Sequence, residues 1–356
     1  MMEKIRVLVV DDSAIVRSLL DEKLNEFPDI EVIGTAPDPY IARDKIVKLQ
    51  PDVITLDIEM PRMDGLTFLQ KLMTYYPFPV IIVSSVTAKD SYASIKALEI
   101  GAFDVVNKPG GSITVSDIID DIVYKIRQAA MVKDVYVNRR LALDGKLVKR
   151  PAVHHDPHIL SNIATTDKLI AIGASTGGTV ALEYILRNLP PNLPPIVVVE
   201  HMPTQFTKQF AERLNEISPL EVKEAEEDDL IAPGTVYIAP GGMHMTVYRK
   251  GALLYTQYTD TEKVHFQKPS VDVLFESVAR EAGRNAIGFL LTGMGKDGAK
   301  GLLAMKERGA HTVAQDERSS IVWGMPKAAI DMGAVDEVIP LDDVPRRIVE
   351  LSQRKG

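Results

Sequence analysis

The chain has 356 residues, 46% hydrophobic and 25% charged, which at roughly 150 residues per domain predicts two soluble domains and excludes a disordered, collagen-like or purely solvating polypeptide. It has no cysteine, so a disulfide framework, a thiolate metal site and a cysteine nucleophile are all excluded, and the reducing cytoplasm is the expected compartment. The net charge of −8 divides into −7 over residues 1–125, +4 over 126–166 and −5 over 167–356, and acidic flanking regions argue against a nucleic-acid partner.

Near the N-terminus the apolar run Val7–Val10 is short and ends in Asp11 and Asp12, so it reads as neither a signal peptide nor a lipidation site. No later run reaches the roughly 18 apolar residues of a membrane span, and no membrane insertion is expected. Residues 1–125 alternate short β-branched runs with amphipathic stretches. The expected strands are Val7–Val10, Val32–Gly34, Val53–Leu56, Val80–Val83 and Val105–Val106. Each is followed by a helical pattern: Ile15–Phe27, Tyr40–Leu49, Leu66–Tyr75, Tyr92–Ile100 and Val115–Ala130. Five βα units predict a doubly wound parallel sheet whose ligands sit beyond the carboxyl ends of the strands.

From Met131 to Thr166 the periodicity fades into a basic stretch with His154, His155 and His158, read as an interdomain linker whose histidines lack well-spaced partner ligands. Alternation resumes with strands at Leu169–Ile172, Ile196–Val199, Thr235–Ile238, Ile287–Leu291 and Thr312–Ala314. Helices are expected at Val180–Leu189, Gln205–Ile217, Val271–Ala282, Gly301–Arg308 and Pro326–Met332, with a hairpin over Thr246–Gln257. This is a second, larger α/β domain. The carboxylate run Glu224, Glu226, Glu227, Asp228 and Asp229 reads as a solvated face, and Trp323 as a core or site-wall residue.

In the first domain three carboxylates, Asp11, Asp12 and Asp57, fall at two strand ends, where they repel one another unless a hard divalent cation such as Mg²⁺ joins them. Ser84 ends the fourth strand and Lys108 follows the fifth, a hydroxyl and an ammonium suited to the oxygens of a phosphoryl group placed on a carboxylate. The stretches Val-Val-Asp-Asp-Ser, Leu-Asp-Ile-Glu-Met-Pro-Arg-Met-Asp-Gly, Val-Ser-Ser and Asn-Lys-Pro together resemble the receiver domain of two-component response regulators. That resemblance implies Asp57 as phosphoacceptor, Asp12 and the backbone of Glu59 as Mg²⁺ ligands with Asp11 in support, and Ser84 and Lys108 as phosphoryl contacts. Val105 departs from the pattern, since many receivers carry a switching aromatic three residues before the lysine; Phe103 is the nearby aromatic.

In the second domain Gly173-Ala-Ser-Thr-Gly-Gly178 follows a strand and precedes a helix. The Gly-x-Ser-x-Gly spacing fits a nucleophile elbow at Ser175, and taken alone it also fits a phosphate-binding or plain turn. His201 lies just past the next strand, and Asp297 lies in Gly293-Met-Gly-Lys-Asp-Gly298 past another. Serine, imidazole and carboxylate at three strand ends supply an alcohol, a base to deprotonate it and a group to fix the imidazole. The order Ser, His, Asp differs from that of α/β-hydrolases. The same glycine loop also reads Gly-x-Gly-x-x-Gly with Asp316 eighteen residues beyond, so a nicotinamide dinucleotide or a phospho-switched binding module without turnover stays open.

Gly-Ala-Ser-Thr-Gly-Gly, His-Met-Pro, Leu-Thr-Gly-Met-Gly-Lys-Asp-Gly and Gln315-Asp316…Gly324-Met325-Pro326 resemble the chemotaxis protein-glutamate methylesterases, in which a receiver precedes a serine hydrolase domain. The resemblance implies an α/β protein with two doubly wound parallel-sheet domains: a flavodoxin-like receiver over 1–130, the linker over 131–166 and a Rossmann-like catalytic domain over 167–356. It implies Ser175 as nucleophile, His201 as general base and acid, Asp297 as the orienting carboxylate, and Thr176 and the backbone of Met294 at the oxyanion. Glu200 stands where glutamine is expected in many relatives, and its charge beside His201 favours a more basic imidazole. The implied substrates are methyl-accepting chemotaxis receptors, whose glutamate methyl esters are hydrolysed and glutamines deamidated. A chemotaxis histidine kinase is the implied phosphodonor, Mg²⁺ serves receiver phosphorylation, and ester hydrolysis needs no cofactor.

Overall fold

The computed structural model describes residues 4–84, 88–108, 115–131, 133, 168–204 and 206–353. The chain divides into two compact units, Met1–Arg150 and Pro151–Gly356. Apart from Met131 and Lys133, the expected linker and its three histidines lie outside the described residues.

The first unit is a five-stranded parallel sheet of β1 (Ile5–Val10), β2 (Ile30–Ala36), β3 (Val53–Leu56), β4 (Val80–Ser84) and β5 (Asp104–Asn107), in the order β2-β1-β3-β4-β5. Helices α1 (Ala14–Leu24), α2 (Pro39–Leu49), α3 (Gly65–Tyr75) and α4 (Ala88–Ile100) make the crossovers, and α5 (Val115–Met131) follows the last strand. Strands β3 and β4 are buried along their whole length, as expected of a sheet covered on both faces. Side-chain caps start three helices: Ser13 accepts from the Val16 N–H, Asp38 from Tyr40 and Ile41, and Asp64 from Thr67. Lys133 bonds Asp52 at 2.7 Å, so the chain just past α5 still belongs to this unit. Phe103 and Val105 are both buried in the core.

The second unit is a seven-stranded parallel sheet in the order β14-β13-β12-β6-β7-β9-β8. Its strands are β6 (Leu169–Ala174), β7 (Ile196–Glu200), β8 (Glu221–Glu224), β9 (Thr235–Ile238), β12 (Ala286–Leu290), β13 (His311–Gln315) and β14 (Glu337–Ile339). Strands β10 (His244–Lys250) and β11 (Leu253–Thr259) form the expected hairpin. The helices are α6 (Gly178–Arg187), α7 (Thr207–Ile217), α8 (Val271–Ala282), α9 (Ala299–Glu307), α10 (Met325–Asp331) and α11 (Val344–Gln353). Val271, Leu274, Phe275 and Val278 of α8 join Leu169 and Ala171 of β6 and Leu302 and Met305 of α9 in one core. Each of the Val, Leu, Phe and Met side chains among these stabilises the fold by about 1.5–3 kcal/mol. The first strand, β6, lies at the centre with β7 on one side and β12 on the other, so the connections reverse direction there. Loops beyond such a switch point form the crevice where ligands bind in open α/β sheets.

The acidic run is not simply a solvated face. Glu224 ends the edge strand β8 and accepts from the Thr207 hydroxyl at 2.5 Å, and Asp229 pairs with Lys223 at 2.9 Å. Both tie the sheet edge to its neighbours.

Candidate functional site

In the first unit Asp11 directly follows β1, Asp57 follows β3, and Lys108 follows β5. The Lys108 ammonium lies between two carboxylates, 2.9 Å from Asp11 Oδ2 and 2.8 Å from Asp57 Oδ2. Burial opposes its charge, but the two carboxylates outweigh burial and hold its pKa above the ordinary lysine value. Burial dominates at Asp57 and raises its carboxyl to about 6 against the pull of Lys108, with Asp11 adding repulsion. The Glu59 N–H donates to Asp57 Oδ1 at 3.3 Å, and Ser84 is buried with its carbonyl accepting the Lys108 N–H at 2.7 Å. Asp11, Asp12 and Asp57 each bring a carboxylate oxygen within 4.8 Å of the others. Three carboxylates against one ammonium leave negative charge on a compact, all-oxygen donor set, which fits a hard divalent cation.

In the second unit the loops after β6, β7 and β12 carry Ser175, His201 and Asp297, with the last two in direct side-chain contact. Gly177 adopts φ +83° at the start of α6, a left-handed conformation that L side chains rarely take, and this lets the chain turn straight from β6 into the helix. Ser175 and Thr176 sit on that turn, both buried. The Ser175 N–H donates to the Thr292 carbonyl at 3.0 Å, which joins the serine turn to the β12 loop. The His201 N–H donates to the Ala174 carbonyl at 3.3 Å, which places the histidine beside the same turn.

His201 Nε2 lies 2.7 Å from Asp297 Oδ2, and both side chains are almost wholly buried. Asp297 Oδ2 also accepts the Val271 N–H at 2.8 Å, while Oδ1 accepts the Ser270 hydroxyl at 2.7 Å and the Asp272 N–H at 3.0 Å. Burial works to raise its carboxyl, but the His201 contact and these donors outweigh burial and hold the pKa below the usual carboxylate range. A carboxylate accepting on Nε2 puts the imidazole proton there, so Nδ1 is the nitrogen left to act as base.

The Thr292 side chain braces the loop. Its hydroxyl donates to the Thr176 carbonyl at 2.9 Å, and its N–H donates to Gln315 Oε1 at 2.8 Å. The Ser175 N–H is engaged, whereas the N–H groups of Thr176, Gly177, Met294 and Gly295 donate to no backbone acceptor among the described residues. Amides left open beside a serine hydroxyl are the donors an oxyanion requires. Glu200 is buried beneath α6, its carboxylate against Gly178.

Sequence reasoning missed Ser270 and the N–H groups opening α8, and it placed Thr292 and Gln315 in motifs without giving either a role. The dinucleotide reading fails on geometry. Asp316 Oδ1 is engaged by the Ser319 N–H at 2.9 Å and hydroxyl at 2.5 Å, and a Cβ at Gly293 would lie 2.9 Å from that of Ser175, so this loop packs on the serine turn. Asp272, which neighbours His265 and Asp297, accepts the Gly301 N–H at 2.7 Å and the His265 ring at 3.1 Å, so its oxygens are already engaged.

The model of the CheB methylesterase family matches residues 170–348, and that of the response regulator receiver domain matches residues 7–120. This chain belongs to the CheB methylesterase family. A protein-glutamate methylesterase/protein-glutamine glutaminase of Syntrophus aciditrophicus is 54% identical over 98% of this chain and 100% of its own length. One from Sulfurimonas denitrificans is 50% identical over 99% of each. Among solved structures, the CheB methylesterase catalytic domain of Thermotoga maritima is 42% identical with a TM-score of 0.51, covering 52% of this chain and 98% of that one. In this CheB-family chain the match to that catalytic domain accompanies the sheet whose strand ends carry Ser175, His201 and Asp297.

Proposed function

We propose that the chain is a phosphorylation-regulated serine hydrolase that demethylates glutamate methyl esters, and deamidates glutamines, on the cytoplasmic helices of chemotaxis receptors. The observation that carries this reading is the buried His201–Asp297 contact of 2.7 Å on the loops flanking the Ser175 turn. The names of relatives matching along nearly the whole chain supply the substrate class. Chemotaxis receptors are then the substrate partner, a chemotaxis histidine kinase the phosphodonor, and the cytoplasm the compartment. No helix among the described residues is long and apolar enough to cross a membrane.

In the mechanism, His201 Nδ1 takes the Ser175 hydroxyl proton as the oxygen attacks the side-chain carbonyl carbon. Asp297 holds the Nε2–H and stabilises the imidazolium that forms. The N–H groups of Thr176 and Met294 receive the oxyanion. Collapse breaks the bond to methanol, or to ammonia for glutamine, and the departing group takes the proton from His201. Water, deprotonated by the same ring, then releases glutamate and restores Ser175.

In the receiver, Asp57 accepts the phosphoryl group while Lys108 and Ser84 contact its oxygens. Asp11, Asp12, Asp57 and the Glu59 backbone are the groups that would hold Mg²⁺, which when bound offsets the charge of the phosphoryl oxygens. Methanol released from methylated receptor membranes tests the reading. Ser175→Ala abolishes that release and leaves the circular dichroism spectrum unchanged; release at the parent's rate would refute the assignment.

A further inference from the structure

Asp297 has four donors, and three of them come from the start of α8: the Ser270 hydroxyl and the N–H groups of Val271 and Asp272. Each oxygen accepts two bonds, so the carboxylate is fixed in the plane that presents Oδ2 to His201. Ser270 is itself held from behind. Its N–H donates to Nδ1 of His244 at 3.1 Å, and His244 Nε2 lies 3.0 Å from the Glu262 carbonyl oxygen. Both residues are fully buried. A ring nitrogen that accepts an N–H carries no proton, so the His244 hydrogen sits on Nε2 and donates to Glu262, and the contacts admit one tautomer. The hairpin residue His244 thereby fixes the backbone of Ser270, and Ser270 fixes Asp297.

Capping alone does not account for the hydroxyl. Ser270 Oγ accepts the Val273 N–H at 3.5 Å, a long cap contact, whereas it donates to Asp297 Oδ1 at 2.7 Å. A hydrogen bond to a buried carboxylate is charge-assisted and stronger than a neutral one. We propose that Ser270, braced by His244, is a positioning residue for the hydrolase, its hydroxyl keeping the Asp297 carboxylate in the orientation that serves His201. This rests on the hydrolase reading above.

The test uses the full chain and the rate at which an organophosphonate labels the Ser175 hydroxyl, a readout independent of the natural substrate. Ser270→Ala lowers that rate about tenfold, the scale of one charge-assisted hydrogen bond, and Ser270→Thr, which keeps the hydroxyl, recovers most of it. In an Asp297→Ala background the hydroxyl has no carboxylate to hold, so adding Ser270→Ala changes nothing further. An undiminished rate in Ser270→Ala, or the same fold-loss in both backgrounds, overturns the proposal. Failure of the unmodified chain to label at Ser175 overturns instead the hydrolase reading beneath it.

Discussion

Asp57 and Asp297 are both almost wholly buried, yet their carboxyls are displaced in opposite directions, and the count of donors decides which way. Asp57 relies mainly on one ammonium and one long N–H contact, so burial prevails. Asp297 has an imidazole, a hydroxyl and two backbone N–H groups, and they prevail over burial. A carboxyl depressed in the folded state contributes stability that is fully present above its unfolded value near 4 and lost as pH falls through the depressed value. Asp297→Asn removes that titration, so urea unfolding followed from about pH 7 to pH 3 loses stability less steeply for the variant than for the parent. An identical slope would show that Asp297 is not the group titrating. The same variant no longer stabilises an imidazolium, and kcat for ester hydrolysis falls on the order of 10³–10⁴-fold.

The approach of α8 to β6 is what delivers those donors, and it depends on the missing side chain of Gly173. A Cβ there would lie 2.2 Å from Cγ1 of Val271, the first residue of the helix. Gly173→Ala therefore pushes the α8 N-terminus away from Asp297 and costs about 1–3 kcal/mol in overpacking. Removing the opposing methyls in Gly173→Ala/Val271→Ala returns part of that stability, so the pair is non-additive; strictly additive denaturation midpoints would mean the clash is relieved elsewhere. This contact also marks the limit of what the sequence discloses. Strand ends were legible because β-branched runs stop at Asp11, Asp57, Ser175 and His201, and α8 was legible from its apolar spacing. The relation of Ser270 to Asp297, 27 residues apart, leaves no periodic trace, nor does the Thr292–Gln315 contact. Edge strands β8 and β14 escaped notice because Glu-Val-Lys-Glu and Glu-Val-Ile are too short and too polar to alternate visibly. The helix α11 was passed over as well, its charged Arg346, Arg347 and Glu350 obscuring the buried Val344, Ile348 and Leu351.

At the scale of the whole molecule, two compact units each carry a parallel sheet on one chain, and the proposed function assigns phosphoryl acceptance to the first and ester hydrolysis to the second. Covalent linkage makes sense if the state of Asp57 sets the rate at Ser175. A phosphoryl group alters charge and hydrogen bonding at the ends of β1, β3, β4 and β5, and such a change biases any element with two packings. The expected outcome is that a small-molecule phosphodonor with Mg²⁺ raises methanol release by the full chain, that Asp57→Asn removes the response while keeping basal hydrolysis, and that a fragment beginning at Asp167 exceeds the unphosphorylated full chain and ignores the phosphodonor. Rates are compared on the same methylated receptor membranes. A fragment no faster than the resting full chain, together with an intact phosphodonor response in the full chain, would mean that the receiver acts by recruiting the hydrolase to its substrate. Salt dependence separates these cases further. A recruitment effect carried by the basic stretch 126–166, net +4, weakens as ionic strength rises, whereas relief of inhibition that depends on buried contacts is screened far less.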